Sequence, residues 1–89
     1  MRRSYLISGV VQGVGFRYFT GREGRRIGVK GWVRNLDGGR VEALAEGSPG
    51  QLEEFEQVIK RGPPGASVTE LHITEKSDEV ELYMTFEIR

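Results

Sequence analysis

Segments that alternate apolar and polar residues recur along this chain, and two stretches with helical spacing interrupt them at set places. That order restricts the fold more than any single motif does. Tyr5 to Val11 is rich in β-branched and aromatic residues and reads as a strand. Gln12-Gly13-Val14-Gly15-Phe16 breaks the pattern with two glycines, and a helix is expected from about Arg17 to Ile27, with Gly28 as its stop. Val29 to Asn35 alternates again, with Val29, Gly31 and Val33 on one face and Lys30, Trp32 and Arg34 on the other. Val41 to Glu46 sets Val41, Ala43 and Ala45 opposite Glu42, Leu44 and Glu46. Residues directly opposite in an antiparallel pair share a face, so a two-residue Asp37-Gly38 loop would put Val33 against Glu42. An odd-length loop or a glycine bulge through Gly38-Gly39 sets Val33 against Val41 instead.

The second helix is the clearer one. Ser48 can cap it, Pro49 suits its first position, and Gln51 completes a capping box. Leu52, Phe55 and Ile59 form its apolar stripe, and Gly62-Pro63-Pro64 stops it. Glu53, Glu54 and Glu56 fall toward the positive end of the helix dipole and read as a solvated face that needs no partner. Val68 to Glu75 alternates, with Leu71 and Ile73 opposite Glu70 and His72. Leu82 to Ile88 ends the series, with Leu82, Met84, Phe86 and Ile88 expected in the core. The order β-α-β-β-α-β defines an α+β, ferredoxin-like split-βαβ sandwich, with two helices on one face of a four- to five-stranded, mostly antiparallel sheet. The first helix is poor by propensity, since Gly21 and Gly24 each cost about 1 kcal/mol relative to Ala. Gly21→Ala is therefore expected to stabilise the fold if that position is helical.

Composition narrows the chemistry. At 89 residues the chain supports one domain, taken as 1–89, that buries roughly two-thirds of its unfolded surface. Thirteen basic and thirteen acidic side chains give zero net charge, which argues against whole-domain attraction to nucleic acid or a membrane. No cysteine is present, which excludes disulfides, thiolate catalysis and cysteine-held metals, and an unstapled fold suits the cytoplasm. A single histidine, His72, leaves few routes to a metal site or a serine–histidine system, and it reads as a sheet-surface residue beside Glu70. Arg2-Arg3 imitates the start of a leader, but Ser8, Gly9, Gln12 and Gly13 break the apolar run of roughly 7–15 residues that a leader needs.

Two places could carry chemistry. A strand running through glycines into a helix presents consecutive N–H groups at the positive end of the helix dipole. Gly13, Val14, Gly15, Phe16 and Arg17 would supply such amides, and the Arg17 guanidinium matches two phosphate oxygens. The other reading is a tight turn with Arg17 on the surface. Without the lysine and Ser/Thr of a P-loop, binding of a nucleoside triphosphate is not expected. The second place is Asn35, the chain's one asparagine, at the entry to the Leu36-Asp37-Gly38-Gly39 turn. It either shapes that turn or uses its donor and acceptor to hold a water in a fixed direction. Trp32 with Lys30 and Arg34 could stack on single-stranded nucleic acid, but Glu42 and Glu46 on the neighbouring strand offset that charge, so no nucleic-acid partner is expected.

Together the two places resemble the acylphosphatase family. Gly9-Val10-Val11-Gln12-Gly13-Val14-Gly15-Phe16-Arg17 is similar to its first signature, and Gly31-Trp32-Val33-Arg34-Asn35 with Asp37-Gly38 and Val41-Glu42 to its second. Gly62-Pro63-Pro64-Gly65-Ala66-Ser67-Val68 and Phe86-Glu87-Ile88-Arg89 look like its later segments, so the resemblance spans essentially the whole chain. It implies a hydrolase that splits acyl phosphates into a carboxylate and inorganic phosphate, with no metal or organic cofactor. The arginine matching Arg17 binds the phosphoryl group with loop amides, and the asparagine matching Asn35 orients the attacking water. Gly15 stands where the family often has a larger residue, a departure that bears on how firmly the loop holds phosphate. The alternative is a non-catalytic phosphate- or carbamoyl-phosphate-binding module, such as opens larger maturation proteins. A monomer is the expectation at this size.

Overall fold

The computed structural model describes residues 1–76 and 83–89. Seven elements follow in the order β1 (Arg2–Val10), α1 (Phe16–Ile27), β2 (Lys30–Asn35), β3 (Val41–Glu46), α2 (Pro49–Arg61), β4 (Ser67–Lys76) and β5 (Phe86–Ile88). The strands form one sheet in the order β4-β1-β3-β2-β5. β1 therefore lies inside the sheet, antiparallel to β3 on one side and to β4 on the other, and β5 adds a parallel edge beside β2. This is the expected α+β, ferredoxin-like arrangement, with a sheet of five strands.

The inward sets of the alternating segments meet in one core. Tyr5, Ile7, Val33, Val41, Ala43 and Ala45 from the sheet pack with Leu52, Phe55 and Ile59 of α2 and Phe16 of α1. The β2–β3 hairpin obeys the face rule but not the expected partner: Val33 lies opposite Ala43, and Asn35 opposite Val41. The Leu36 N–H donates to the Arg40 carbonyl at 2.8 Å, so the odd-length turn is Asp37-Gly38-Gly39. Its two glycines take the left-handed conformation (φ 89° and 94°). Centring the turn on Gly38 rather than Asp37 moves the register by two residues and leaves every side chain on its expected face.

Three further expectations change. The last strand begins only at Phe86; Met84 is 90% and Ile88 37% exposed, so neither is core, and Leu82 lies outside the described residues. The acidic run on α2 is not an unpartnered face. No acidic residue occupies the first turn. Instead Glu54 pairs with Arg26 of α1, and Glu56 accepts hydrogen bonds from Arg3 and from the Tyr5 hydroxyl, both at 2.8 Å. Burial, followed by that contact with Glu56, pushes the Tyr5 hydroxyl pKa well above its ordinary value.

Gly21 and Gly24 have a packing reason. A Cβ on Gly24 would sit 2.9 Å from Cγ of the fully buried Phe86, and one on Gly21 would run into the Ile88 side chain. The two glycines let α1 lie close on β5, against Phe86 and Ile88. Position 21 is helical, as the stabilising substitution requires, but a methyl there must first displace Ile88, which offsets the helix-propensity gain. No helix among the described residues is long and apolar enough to cross a membrane.

Candidate active site

The loop after β1 is shaped by two glycines in the left-handed region, Gly13 (φ 75°) and Gly15 (φ 77°). Nothing lies within 4 Å of where a Cβ would stand on either, so conformation rather than crowding calls for glycine there. Gly15 is the N-cap of α1 and offers no side chain to close it. The first hydrogen bond out of the helix runs from the Phe19 N–H to the Gly15 carbonyl at 2.9 Å. The amides of Phe16, Arg17 and Tyr18 therefore precede the helix's own ladder, at the positive end of its dipole. No acidic residue stands in the first turn to occupy that end. The departure at Gly15 thus places the residue best suited to a left-handed cap at the helix start.

Arg17 projects from the first turn of α1, and its Nη1 donates to the main-chain oxygen of Arg89 at 2.6 Å. Asn35 is the last residue of β2 and is exposed. The two come together on one cleft of about 280 Å³, whose lining includes Gln12, Gly13, Gly15, Arg17 and Asn35. Phe16 also lines it, although its side chain is buried in the core. Val14, the remaining member of the expected amide set, packs its side chain against the core and is not among the lining residues. Arg17 is the one charged side chain on the described lining, so with the helix dipole the cleft favours an anion.

No site role was expected for four of the lining residues, Val11, Gln12, Tyr18 and Ile88. Gln12 donates from Nε2 to the carbonyls of Leu36 (2.7 Å) and Arg40 (2.8 Å), which ties the glycine loop to the hairpin beyond Asn35. A lone amide between buried Val11 and Gly13 was the available signal. Val11, Tyr18 (68% exposed) and Ile88 complete the cleft, and none carries a spacing that marks it for a site. Among the described residues, no group of three His, Asp or Glu side chains is placed to hold a metal ion. His72 sits on the edge strand β4 against Glu70 (2.9 Å), away from the cleft lining. Trp32 has the Arg34 and Arg89 guanidinium groups 5.0 and 5.1 Å from its ring centre, and Arg34 is also paired with Glu42.

A ferredoxin-like α+β domain with a glycine-loop cleft at the start of its first helix is the class these features define. The sequence matches the family model described as Acylphosphatase over residues 3–88. An acylphosphatase of Pasteurella multocida is 43% identical over 89 residues, covering 100% of this chain and 98% of that protein. One of Archaeoglobus fulgidus is 48% identical over 82 residues, covering 92% and 90%. The crystal structure of acylphosphatase from Bacillus subtilis superimposes with a TM-score of 0.94 at 42% identity, covering 99% of this chain and 97% of that one. The chain belongs to the acylphosphatase family and is a hydrolase of that kind.

Proposed function

We propose that the protein hydrolyses the carboxyl–phosphate bond of acyl phosphates, holding the phosphoryl group with Arg17 and the backbone amides of the Gly13–Arg17 loop while Asn35 positions the attacking water. The observation that carries this reading is the single cleft lined by Gly13, Gly15, Arg17 and Asn35. Phosphoryl transfer asks for positioning and for stabilisation of charge on the three equatorial oxygens. Arg17 and the open helix end suit the second need. An amide that can both donate and accept suits the first.

The reaction balances without an acid or base from the protein. Water oxygen bonds to phosphorus as the bond from phosphorus to the carboxyl oxygen breaks. The electron pair leaves with the carboxylate, which is weakly basic and needs no proton. The water proton passes to a phosphoryl oxygen, giving inorganic phosphate.

Turnover of benzoyl phosphate by the wild type, Arg17→Ala and Asn35→Ala tests the roles. Removing Arg17 is expected to lower kcat/KM on the order of 10³-fold and to abolish inhibition by inorganic phosphate. Removing Asn35 is expected to lower kcat on the order of 10²-fold while phosphate still inhibits. Wild-type protein that binds phosphate without turnover would instead make this a binding module. A kcat profile governed by a group near the ordinary histidine pKa of about 6.5 would overturn the base-free step.

A further inference from the structure

We infer that Gln12 is a positioning residue that sets the separation between the phosphate-holding and water-holding halves of the cleft. The inference rests on the acylphosphatase reading of that cleft. The two halves come from different parts of the chain. Arg17 and the loop amides stand where β1 runs into α1, and Asn35 stands where β2 enters the Asp37-Gly38-Gly39 turn. The hydrogen bonds of the sheet hold Asn35 only from one direction, because β2 ends at that residue and the chain then turns back to Val41.

Gln12 closes the other side. Its side-chain amide carries two N–H groups, and both are used: one reaches the Leu36 carbonyl at 2.7 Å and the other the Arg40 carbonyl at 2.8 Å. These carbonyls flank the three-residue turn, and the Arg40 oxygen also accepts from the Leu36 N–H. Leu36 is covalently next to Asn35, and Gln12 is covalently next to Gly13, the first glycine of the phosphate loop. One side chain thus clamps the residue beside the water-holding amide to the residue beside the phosphate cradle. In-line attack tolerates little error in that separation. Glutamine fits because it is the residue of this length that offers two donors on one atom without charge. Glutamate has the same outline and no donor, and its oxygens would face two carbonyl oxygens.

Gln12→Glu and Gln12→Ala, compared with the wild type on benzoyl phosphate, on inhibition by inorganic phosphate and on amide hydrogen exchange, test the assignment. Both variants are expected to lower kcat, by up to about 10²-fold for a displacement near one ångström. For Gln12→Ala, inhibition by phosphate is expected to stay within about twofold of wild type, since Arg17 and the helix-end amides are untouched, whereas Gln12→Glu adds a carboxylate to the cleft lining and is expected to weaken it. The Leu36 N–H is expected to exchange faster, while the Phe19 N–H at the helix start keeps its wild-type rate. Wild-type kcat in both variants, phosphate inhibition of Gln12→Ala that weakens in step with its kcat, or an unchanged Leu36 exchange rate would each overturn the role. Absence of turnover in the wild type would count against the acylphosphatase reading alone, because the exchange measurement needs no substrate and judges the clamp by itself.

Discussion

The two helices use their amino termini in opposite ways. In α2 the Ser48 hydroxyl accepts from the Gln51 N–H at 3.2 Å, and the Gln51 side chain accepts from the Ser48 N–H at 2.9 Å, so the end is closed by the helix's own residues. In α1 the cap is Gly15, with no side chain to offer, and the same kind of end opens onto the cleft. A closed end adds stability and has nothing left for a ligand; an open end keeps its amides for an anion and gives up the cap. α1 also carries Gly21 and Gly24, and what it lacks in propensity is supplied by close packing on Phe86 and Ile88. Both helices pack on the core, but only α1 leaves its amino terminus open on the cleft.

The largest stability effect should come from α2 and leave the chemistry alone. Leu52 is fully buried, and Leu52→Ala is expected to cost about 2–5 kcal/mol. Urea midpoints would record the loss, while kcat for benzoyl phosphate, measured well below the melting temperature, stays near wild type. Loss of turnover in a still-folded variant would break the division between the helices. On α1 the matching test is Gly24→Ala. The added methyl meets the buried Phe86 ring at 2.9 Å, so overpacking of about 1–3 kcal/mol outweighs the gain of about 1 kcal/mol in helix propensity. A rise in melting temperature would show that α1 is held less tightly on β5 than its geometry indicates.

The same contrast explains what could be read from the sequence. α2 was legible to the residue, from Pro49 to Arg61, because caps, stripe and stop are local signals. The glycine loop, Arg17 and Asn35 each also read as turn or surface residues on their own, and only the two places taken together, with their resemblance to one family, singled them out as candidates; the structure sets them on one cleft. What escaped depends on distance in the chain. Glu56 meets Arg3 and Tyr5 from more than fifty positions away, and Arg17 meets Arg89 from 72. The Gln12 clamp and the packing role of Gly21 and Gly24 are of the same kind. Met84 misled because alternation alone cannot tell where a short edge strand begins; its neighbour Thr85 already lies outside β5.

Smaller changes at the two helix ends sharpen the comparison. Ser48→Ala removes the cap of α2 and is expected to cost about 1 kcal/mol with no effect on phosphate inhibition. Gly15→Ala forces a side chain into the left-handed region and is expected to cost about the same in stability. It should also weaken phosphate inhibition severalfold, because relief of that strain re-aims the open amides. Equal phosphate inhibition in the two variants would mean the α1 end does not bind the anion.

The smallest effect concerns the link between α2 and β1. Tyr5 is buried and donates to Glu56 at 2.8 Å, and burial together with that carboxylate raises its pKa. The raised value means the folded state keeps the phenol proton after the unfolded chain has begun to lose it. Stability from this group is therefore complete below about pH 10, the ordinary tyrosine value, and declines as the pH climbs above it. Half a unit above that value the loss from this one residue stays under about 1 kcal/mol. Urea midpoints at pH 7 and 10.5 for wild type and Tyr5→Phe isolate it, since every other titrating side chain is common to both. The wild type should lose more than the variant between the two conditions, by up to about 1 kcal/mol. Identical losses would place the Tyr5 proton in ordinary exchange with solvent and remove Glu56 as the tie between the stable helix and the first strand.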